Sequence, residues 1–260
     1  MKRKTLEKII YYQNKNNIKP LIVFISGAAC DQTLWGFQRR YYSNKDYSTF
    51  IINLPGHGSN NEKALKSIEK MGEYITENLK KLSHKKFILI SHSMGTLISL
   101  YIASKKVLDI EKMVLIGTAF PMKVSAFLLD LSKNDQSLAI NNMIKWSIPE
   151  RKELYGSQLI GMRLHNFLYR VMEKTKKGVL LQDLMACNKF NLSNQLLKNI
   201  DIPTCIISGD KDIMTSVTSA DYLNGILSNS EMKVIYDCGH FHMFEHPNNL
   251  RNIISKFIGV

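Results

Sequence analysis

The stretch FILISHSMG, residues 87–95, places a serine at the junction of a predicted strand and a predicted helix. Its first four residues form a continuous apolar run, which is typical of a strand buried on both faces. The residues that follow, 96–103, carry apolar side chains at helical spacing. A chain that passes from strand to helix without a loop crowds its own backbone, and the small residues Ser91 and Gly95 on either side of Ser93 relieve that crowding. The stretch therefore predicts a sharp turn with Ser93 at its apex.

The composition is that of an ordinary globular protein. The chain has 260 residues, of which 45% are hydrophobic and 22% are charged, and this length suits one large α/β domain or two small ones. No apolar run reaches the roughly 18 residues that a transmembrane helix needs, so we expect none. Residues 1–4 are basic, but residues 5–18 are too polar for the core of a signal peptide. These features predict a cytoplasmic location.

The cysteines and the clustered histidines give no recognisable metal-binding pattern. The cysteines form no CxxC pair, and we expect all four to be structural free thiols: Cys30, Cys187, Cys205 and Cys238. His240, His242 and His246 lie close together in the sequence, but no carboxylate or cysteine completes a ligand set with them. We therefore expect no metal ion and no other cofactor.

The formal net charge of +13 raises the question of an acidic partner. The lysines are scattered along the whole chain, and their densest groups, at residues 80–86 and 174–177, are not interleaved with aromatic side chains. This distribution is typical of solvated surface lysines. We expect no specific nucleic-acid partner and no membrane association, and attraction of anionic substrates remains an alternative role for the charge.

Apolar runs typical of strands recur along the chain and alternate with helical patterns. The runs lie at residues 21–25, 50–52, 87–90, 113–116, 204–207 and 232–236. The clearest helical patterns between and after them lie at residues 68–82, 96–105 and 250–257. Alternating strands and helices predict a mostly parallel sheet with helices on both faces. Ligands of such sheets bind beyond the carboxyl ends of the strands.

The interval at residues 120–197 interrupts this alternation. It contains no convincing strand, and its helical patterns lie at residues 137–146 and 159–172. We expect an all-helical insertion between two strands of the sheet. Ordinary crossover helices are the alternative, although roughly 75 residues is long for one crossover.

Three groups of polar residues each follow a predicted strand. Ser93 follows the third apolar run, and His240 follows the last. Asp210 and Asp212 both follow the fifth run, so either could belong to the same site. A serine becomes a useful nucleophile when a histidine accepts its proton and a carboxylate orients that histidine. The residue types and their positions thus predict nucleophilic catalysis at one edge of the sheet.

The motifs around these residues resemble those of the α/β-hydrolase fold family, in members that carry a helical cap. Residues 91–95, Ser-His-Ser-Met-Gly, resemble the G-x-S-x-G nucleophile elbow of that family. Residues 54–58, Leu-Pro-Gly-His-Gly, resemble the loop after its second main strand. Residues 238–247 resemble its histidine loop and the following helix. The resemblance extends from about residue 21 to the end of the chain.

The resemblance implies an α/β fold with a mostly parallel central sheet flanked by helices. It divides the chain into a core domain, residues 1–119 and 198–260, and a helical cap, residues 120–197. The helical insertion predicted above is then the cap. We expect a monomer or a homodimer.

The resemblance also implies the roles of the polar residues. The chain order of Ser93, Asp212 and His240 is the order of nucleophile, acid and base in that family. The acid of the family is the last aspartate of the turn after its strand, which makes Asp210 a turn residue. His57, between two glycines, is expected to form hydrogen bonds within its loop.

Two positions depart from the family pattern. Ser91 stands in place of the first elbow glycine, and Ser-Gly at residues 26–27 stands in place of the usual His-Gly. Backbone donors do not depend on side-chain identity, so these changes leave the oxyanion hole possible. By position, its two donors are the backbone N–H groups of Ala28 and Met94.

The function implied is that of a serine hydrolase that cleaves a small, largely apolar carboxylic ester. The same triad also serves carbon–carbon, lactone and amide hydrolysis and acyl transfer, and a receptor of this fold would bind a ligand without turnover. The partner expected is a small-molecule acyl substrate. Its predicted contacts are Trp146, Phe241 and Met122, with Met143, Met162 and Phe167 as further candidates. An arginine such as Arg151, Arg163 or Arg170 would suit an acidic substrate.

Overall fold

The computed structural model describes residues 2–6, 8–14, 18–149 and 163–260. Its centre is an eight-stranded sheet with the order β1-β2-β4-β3-β5-β6-β7-β8. The strands are β1 Lys2–Leu6, β2 Ile9–Gln13, β3 Leu21–Ile25, β4 Thr49–Ile52, β5 Lys86–His92, β6 Asp109–Ile116, β7 Thr204–Gly209 and β8 Ser230–Ile235. Six neighbouring strands run parallel to one another: β4, β3, β5, β6, β7 and β8. The predicted fold class, a mostly parallel sheet flanked by helices, is confirmed.

The hairpin of β1 and β2 was not predicted from the sequence. It pairs antiparallel to β4 at the edge of the sheet, with Ile9 opposite Ile52 and Tyr12 opposite Thr49. The β2 strand is only half-buried, in contrast to the fully buried β3 and β4. The β2 strand carries a short apolar run, Ile-Ile-Tyr-Tyr, between β1 and β4. An antiparallel hairpin lies outside the alternation of strands and helices from which the other strands were predicted.

Helices cover both faces of the parallel part of the sheet. In chain order they are α1 Gly36–Ser43, α2 Ile68–Lys80, α3 Met94–Lys105, α4 Ala126–Asn134, α5 Gln136–Ser147, α6 Leu164–Met172, α7 Val179–Lys189, α8 Asn194–Lys198, α9 Val217–Ile226, α10 His242–Glu245 and α11 Pro247–Ile258. A short 3-10 helix, Gln32–Trp35, precedes α1. The helices predicted at residues 68–82, 96–105, 137–146 and 250–257 are present with bounds shifted by a few residues.

The first two long helices illustrate how the sequence determines burial. Ser67 caps α2 by accepting a hydrogen bond from the backbone N–H of Lys70, and α2 buries one face. That face consists of Ile68, Met71, Gly72, Ile75 and Leu79. In contrast, α3 contacts β3, β5 and β6 of the sheet and also α2, and its residues from Met94 to Ala103 are all buried. The serine turn is therefore attached to the most enclosed helix of the core.

The described residues between β6 and β7 form helices α4 to α8 and no strand. The helix predicted at residues 159–172 is described only from Leu164, because residues 150–162 lie outside the described part of the chain. Arg151 and Met162, named above as candidate contacts, lie outside it too. The division into a core and a cap stays a prediction. Of the helices in the described ranges, none combines the length and the hydropathy needed to cross a membrane.

Candidate active site

Ser93 lies at the carboxyl end of β5, in a backbone conformation that few residues other than glycine adopt. Its φ is 53° and its ψ is −124°, and α3 begins at the next residue. Such strain, of roughly 1–3 kcal/mol, persists only where the surrounding structure enforces it. Here the backbone N–H of Ser93 donates to the carbonyl of Ile116 (3.0 Å), and a Cβ on Gly95 would lie 2.5 Å from the carbonyl oxygen of Ile25. The turn therefore requires glycine at position 95.

Ser91, which replaces the first glycine of the elbow motif, fits the turn because its hydroxyl has a partner. The side chain is fully buried, and its Oγ donates to the carbonyl of Val114 on β6 (3.2 Å). A buried hydroxyl that is hydrogen-bonded carries little penalty. The strand-to-helix turn is thus retained without that glycine.

His240 and Asp212 form a buried pair at the carboxyl ends of β7 and β8. The imidazole Nδ1–H donates to Asp212 Oδ2 over 2.7 Å. The other carboxylate oxygen, Oδ1, accepts from the backbone N–H groups of Met214 and Thr215, and the Thr215 hydroxyl donates to Oδ2. Burial by itself raises the pKa of Asp212, but His240 and these hydrogen bonds outweigh it and hold the pKa well below its usual range. Asp212 is therefore ionised and fixes the proton of His240 on Nδ1.

The carboxyl end of β6 leaves room for this pair because it is a glycine. A Cβ on Gly117 would lie 3.1 Å from both Cε1 and Nδ1 of His240 and 3.5 Å from Asp212 Oδ2. Gly117 also has a φ of +57°, in the left-handed region that favours glycine. A larger residue here would displace the imidazole.

Two further histidines hold the backbone of His240. His92 Nε2–H and His242 Nδ1–H both donate to the carbonyl of His240, each over 2.9 Å. Burial, followed by the nearby His240, lowers the pKa of His92 well below its usual range. Burial lowers the pKa of His242 to about 4, since His240 adds to it and the opposing effect of Asp212 is smaller. Both rings are therefore neutral donors near neutral pH.

Glu245, which was not predicted from the sequence, holds the loop around His240 from both sides. This fully buried side chain accepts from the backbone N–H of Gly239 through Oε2 (2.7 Å) and from that of Phe241 through Oε1 (2.9 Å). The signal available in the sequence was an acidic residue within an apolar segment, which indicates a carboxylate with specific partners.

Asp210 does not reach the imidazole of His240 and serves the neighbouring turn. Its Oδ1 accepts from the backbone N–H of Cys238 (3.2 Å), and its Oδ2 forms an ion pair with Lys211 (3.3 Å). Of the two aspartates in this turn, Asp212 is the one that contacts His240.

Ser93 borders two small cavities. One, of about 20 Å³, also borders His240 and Phe241, and the other, of about 210 Å³, also borders Met122 and Trp146. Ala28 and Met143 line both. The structure thus brings Ser93, His240, Ala28 and all three predicted contact residues around one region. Phe167 lies elsewhere and packs on Phe244 with ring centroids 4.9 Å apart. Arg170 forms an exposed ion pair with Glu173.

The loop after β3 carries one predicted oxyanion donor. It makes a turn in which the backbone N–H of Cys30 donates to the carbonyl of Gly27 (3.2 Å), with Ala28 and Ala29 at its centre. The other predicted donor, the N–H of Met94, lies at the first residue of α3, where helix N–H groups have no partner within the helix. Ala28 and Met94 both line the larger cavity that Ser93 borders.

Ser26, which replaces the histidine of the family pattern, packs this loop through its hydroxyl. The Oγ accepts from Trp35 Nε1 (3.0 Å) and donates to the carbonyl of Asp31 (3.2 Å). Trp35 is fully buried beside Phe24 of β3. The serine thus connects the oxyanion loop to the core without a ring at this position.

His57 forms a second buried histidine–aspartate pair that the sequence did not reveal. Its Nε2 lies 2.7 Å from Oδ2 of Asp183 on α7. Its Nδ1 lies 3.2 Å from the carbonyl oxygen of Pro55, so both ring nitrogens are occupied. His57 does not line either of the two cavities beside Ser93. This ring is therefore engaged away from the serine.

The comparisons with known proteins agree with this fold. The family model of the alpha/beta hydrolase fold matches residues 20–152 and 166–247. The monoacylglycerol lipase ABHD6 of Mus musculus is 24% identical over 275 residues, covering 95% of this chain and 78% of that protein. The esterase EaEST of Exiguobacterium antarcticum superposes with a TM-score of 0.83 at 16% identity, over 97% of this chain and 95% of its own. A lipase-esterase related protein of Clostridium acetobutylicum superposes with a TM-score of 0.78 at 23% identity, over 96% of this chain and 99% of its own.

Proposed function

The chain belongs to the alpha/beta hydrolase fold family, and we propose that it is a serine hydrolase that cleaves a small, largely apolar carboxylic ester through an acyl-enzyme on Ser93. One observation carries the proposal. Ser93, in its strained turn, borders the same cavity as His240, whose other ring nitrogen is held by the ionised Asp212. This combination of nucleophile, base and orienting carboxylate is the arrangement that activates a serine hydroxyl.

In the proposed reaction, Ser93 Oγ attacks the ester carbonyl while His240 Nε2 accepts the hydroxyl proton. The imidazolium formed is stabilised by Asp212 and passes the proton to the departing alcohol. The N–H groups of Ala28 and Met94 stabilise the oxyanion, a contribution of about 3 kcal/mol for each donor. Water, deprotonated by His240, then attacks the acyl-enzyme and releases the carboxylic acid, which restores the Ser93 hydroxyl.

The larger cavity beside Ser93 supports an apolar acyl group of modest size. It measures about 210 Å³, and most of its lining side chains are apolar. Met122 precedes α4, Trp146 lies on α5, and Leu184 and Cys187 lie on α7, so the helices at residues 120–197 supply much of its wall. We include in the proposal that these helices form a cap over the site. The names of the relatives, a monoacylglycerol lipase and esterases, support an ester as substrate.

The dependence of kcat/KM on the length of the acyl chain tests this proposal. We expect the wild type to hydrolyse p-nitrophenyl butyrate and octanoate, and Trp146→Ala to raise the octanoate-to-butyrate ratio of kcat/KM by roughly tenfold. The reason is that loss of the indole enlarges the cavity beside Ser93. The ratio is obtained from initial rates over a series of esters with graded chain length.

The matched control is Leu138→Ala, which removes an exposed apolar side chain from the same helix, α5. We expect this variant to keep the wild-type ratio. An unchanged ratio in Trp146→Ala would remove Trp146 from the acyl pocket. Absence of turnover by the wild type on every ester would overturn the ester hydrolase itself.

A further inference from the structure

The carboxylate of Asp183 joins the predicted cap to the loop that follows β4. The side chain is fully buried on α7, and its Oδ2 accepts from His57 Nε2 over 2.7 Å. The other ring nitrogen of His57 faces the carbonyl oxygen of Pro55, and only a doubly protonated ring donates to both acceptors. Burial lowers the pKa of His57, but Asp183 outweighs it and raises the pKa above its usual value. The two side chains thus form a buried, hydrogen-bonded pair.

The same oxygen of Asp183 also holds the loop after β3. The backbone N–H of Ala29 donates to Asp183 Oδ2 over 3.0 Å. On the other side of Ala29, its carbonyl accepts from the Thr175 hydroxyl over 2.9 Å. Both peptide groups of Ala29 are therefore anchored by side chains from residues 120–197.

The anchored residue needs this support because its own conformation is unfavourable. Ala29 has a φ of 53°, which alanine rarely adopts, and it occupies the turn closed by the bond from Cys30 N–H to Gly27. Glycine is the residue that adopts such a conformation without strain. The Ala28 N–H belongs to the same peptide group as the Gly27 carbonyl, which accepts from the Cys30 N–H. Its direction therefore depends on the turn that the Ala29 conformation completes.

The geometry points to Asp183 and Thr175 as positioning residues for the oxyanion hole, an inference that rests on the proposed function. Neither residue touches the reacting atoms. Asp183 holds the N–H of Ala29, Thr175 holds its carbonyl, and together they keep the left-handed conformer that aims the Ala28 N–H at the oxyanion. The hydrogen bond from His57 Nε2 in turn keeps the Asp183 carboxylate in place.

The test compares ground-state and transition-state binding in two variants. Asp183→Asn keeps the size of the side chain but loses its charge, and Thr175→Val keeps the shape but loses the hydroxyl. We expect each to lower kcat by about 10- to 100-fold with KM nearly unchanged, because the oxyanion hole acts only in the transition state. Affinity for a trifluoromethyl ketone, which forms an oxyanion on the serine, falls by the same factor as kcat/KM.

Rates are expressed per active site, titrated with an organophosphonate, so that loss of folded protein does not lower them. Thr175→Ser retains the hydroxyl and restores the rate. The control is Asp135→Asn, which changes a carboxylate that caps α5 and lies outside the oxyanion loop. If Asp183→Asn does not fold, Thr175→Val decides alone.

The outcomes separate the two levels of the account. In the first outcome, the wild type hydrolyses esters, and the variants either match its rate per titrated site or show a raised KM with unchanged kcat. This result overturns the positioning role and leaves the proposed function intact. A wild type without turnover overturns the proposed function and this inference with it. A parallel loss of kcat/KM and ketone affinity supports both.

Discussion

Ser93→Ala is expected to lower kcat for p-nitrophenyl esters by about 10⁴-fold or more while the protein stays folded. The Ser93 hydroxyl is the proposed nucleophile. Among the described residues, the only other one with a hydroxyl group that lines the smaller cavity beside His240 is Ser147. The Ser147 hydroxyl already donates to the carbonyl of Met143 (2.7 Å), so it does not replace Ser93. Initial rates and a thermal unfolding curve for each protein provide the measurement.

The control for this variant is Ser99→Ala, six residues further along in α3. Ser99 is fully buried, and its Oγ has no hydrogen-bond partner among the described residues, so its removal leaves no group unsatisfied. We expect wild-type rates from it. Equal rates in Ser93→Ala and the wild type would mean that another residue, or water directly, attacks the ester.

Asp212→Asn is expected to lower kcat by about 10⁴-fold, with little change in overall structure. The carboxylate accepts the Nδ1–H of His240 and stabilises the imidazolium that forms when Ser93 loses its proton. An amide at this position offers its N–H to Nδ1, which moves the ring proton to Nε2 and abolishes the base. Single-turnover rates on a good ester substrate measure the loss directly.

The matched control is Asp210→Asn, two residues earlier in the same turn. Asp210 contacts the backbone of Cys238 and the side chain of Lys211, and we expect its replacement to change kcat less than tenfold. A large loss of kcat in Asp210→Asn, with a small change in Asp212→Asn, would make Asp210 the acid and the assignment of Asp212 wrong.

The central features of this fold could be predicted because they depend on local sequence. The buried strands appear as continuous apolar runs, and the sharp turn at Ser93 appears as small residues between a strand and a helix. The hairpin of β1 and β2 was not predicted, because its two antiparallel strands lie outside the alternation of strands and helices that indicates the parallel sheet.

The contacts that support the site depend on long-range geometry, which one sequence does not encode in a readable form. The pairing of His57 with Asp183 spans 126 positions in the chain. Glu245 reaches its two backbone partners only because the loop around His240 curls over its carboxylate. The residues proposed for the chemistry were therefore predictable from motifs in the sequence, whereas the residues that hold them were not.

The most direct test of the acyl-enzyme account is the site at which an organophosphonate attaches. The wild type is incubated with a fluorophosphonate, and peptide mass spectrometry locates the adduct, with Asp212→Asn labelled in parallel. We expect one adduct, on Ser93, formed far more slowly in Asp212→Asn because the serine is less activated. An adduct on another residue, or an unlabelled protein that hydrolyses esters at full rate, would contradict the account.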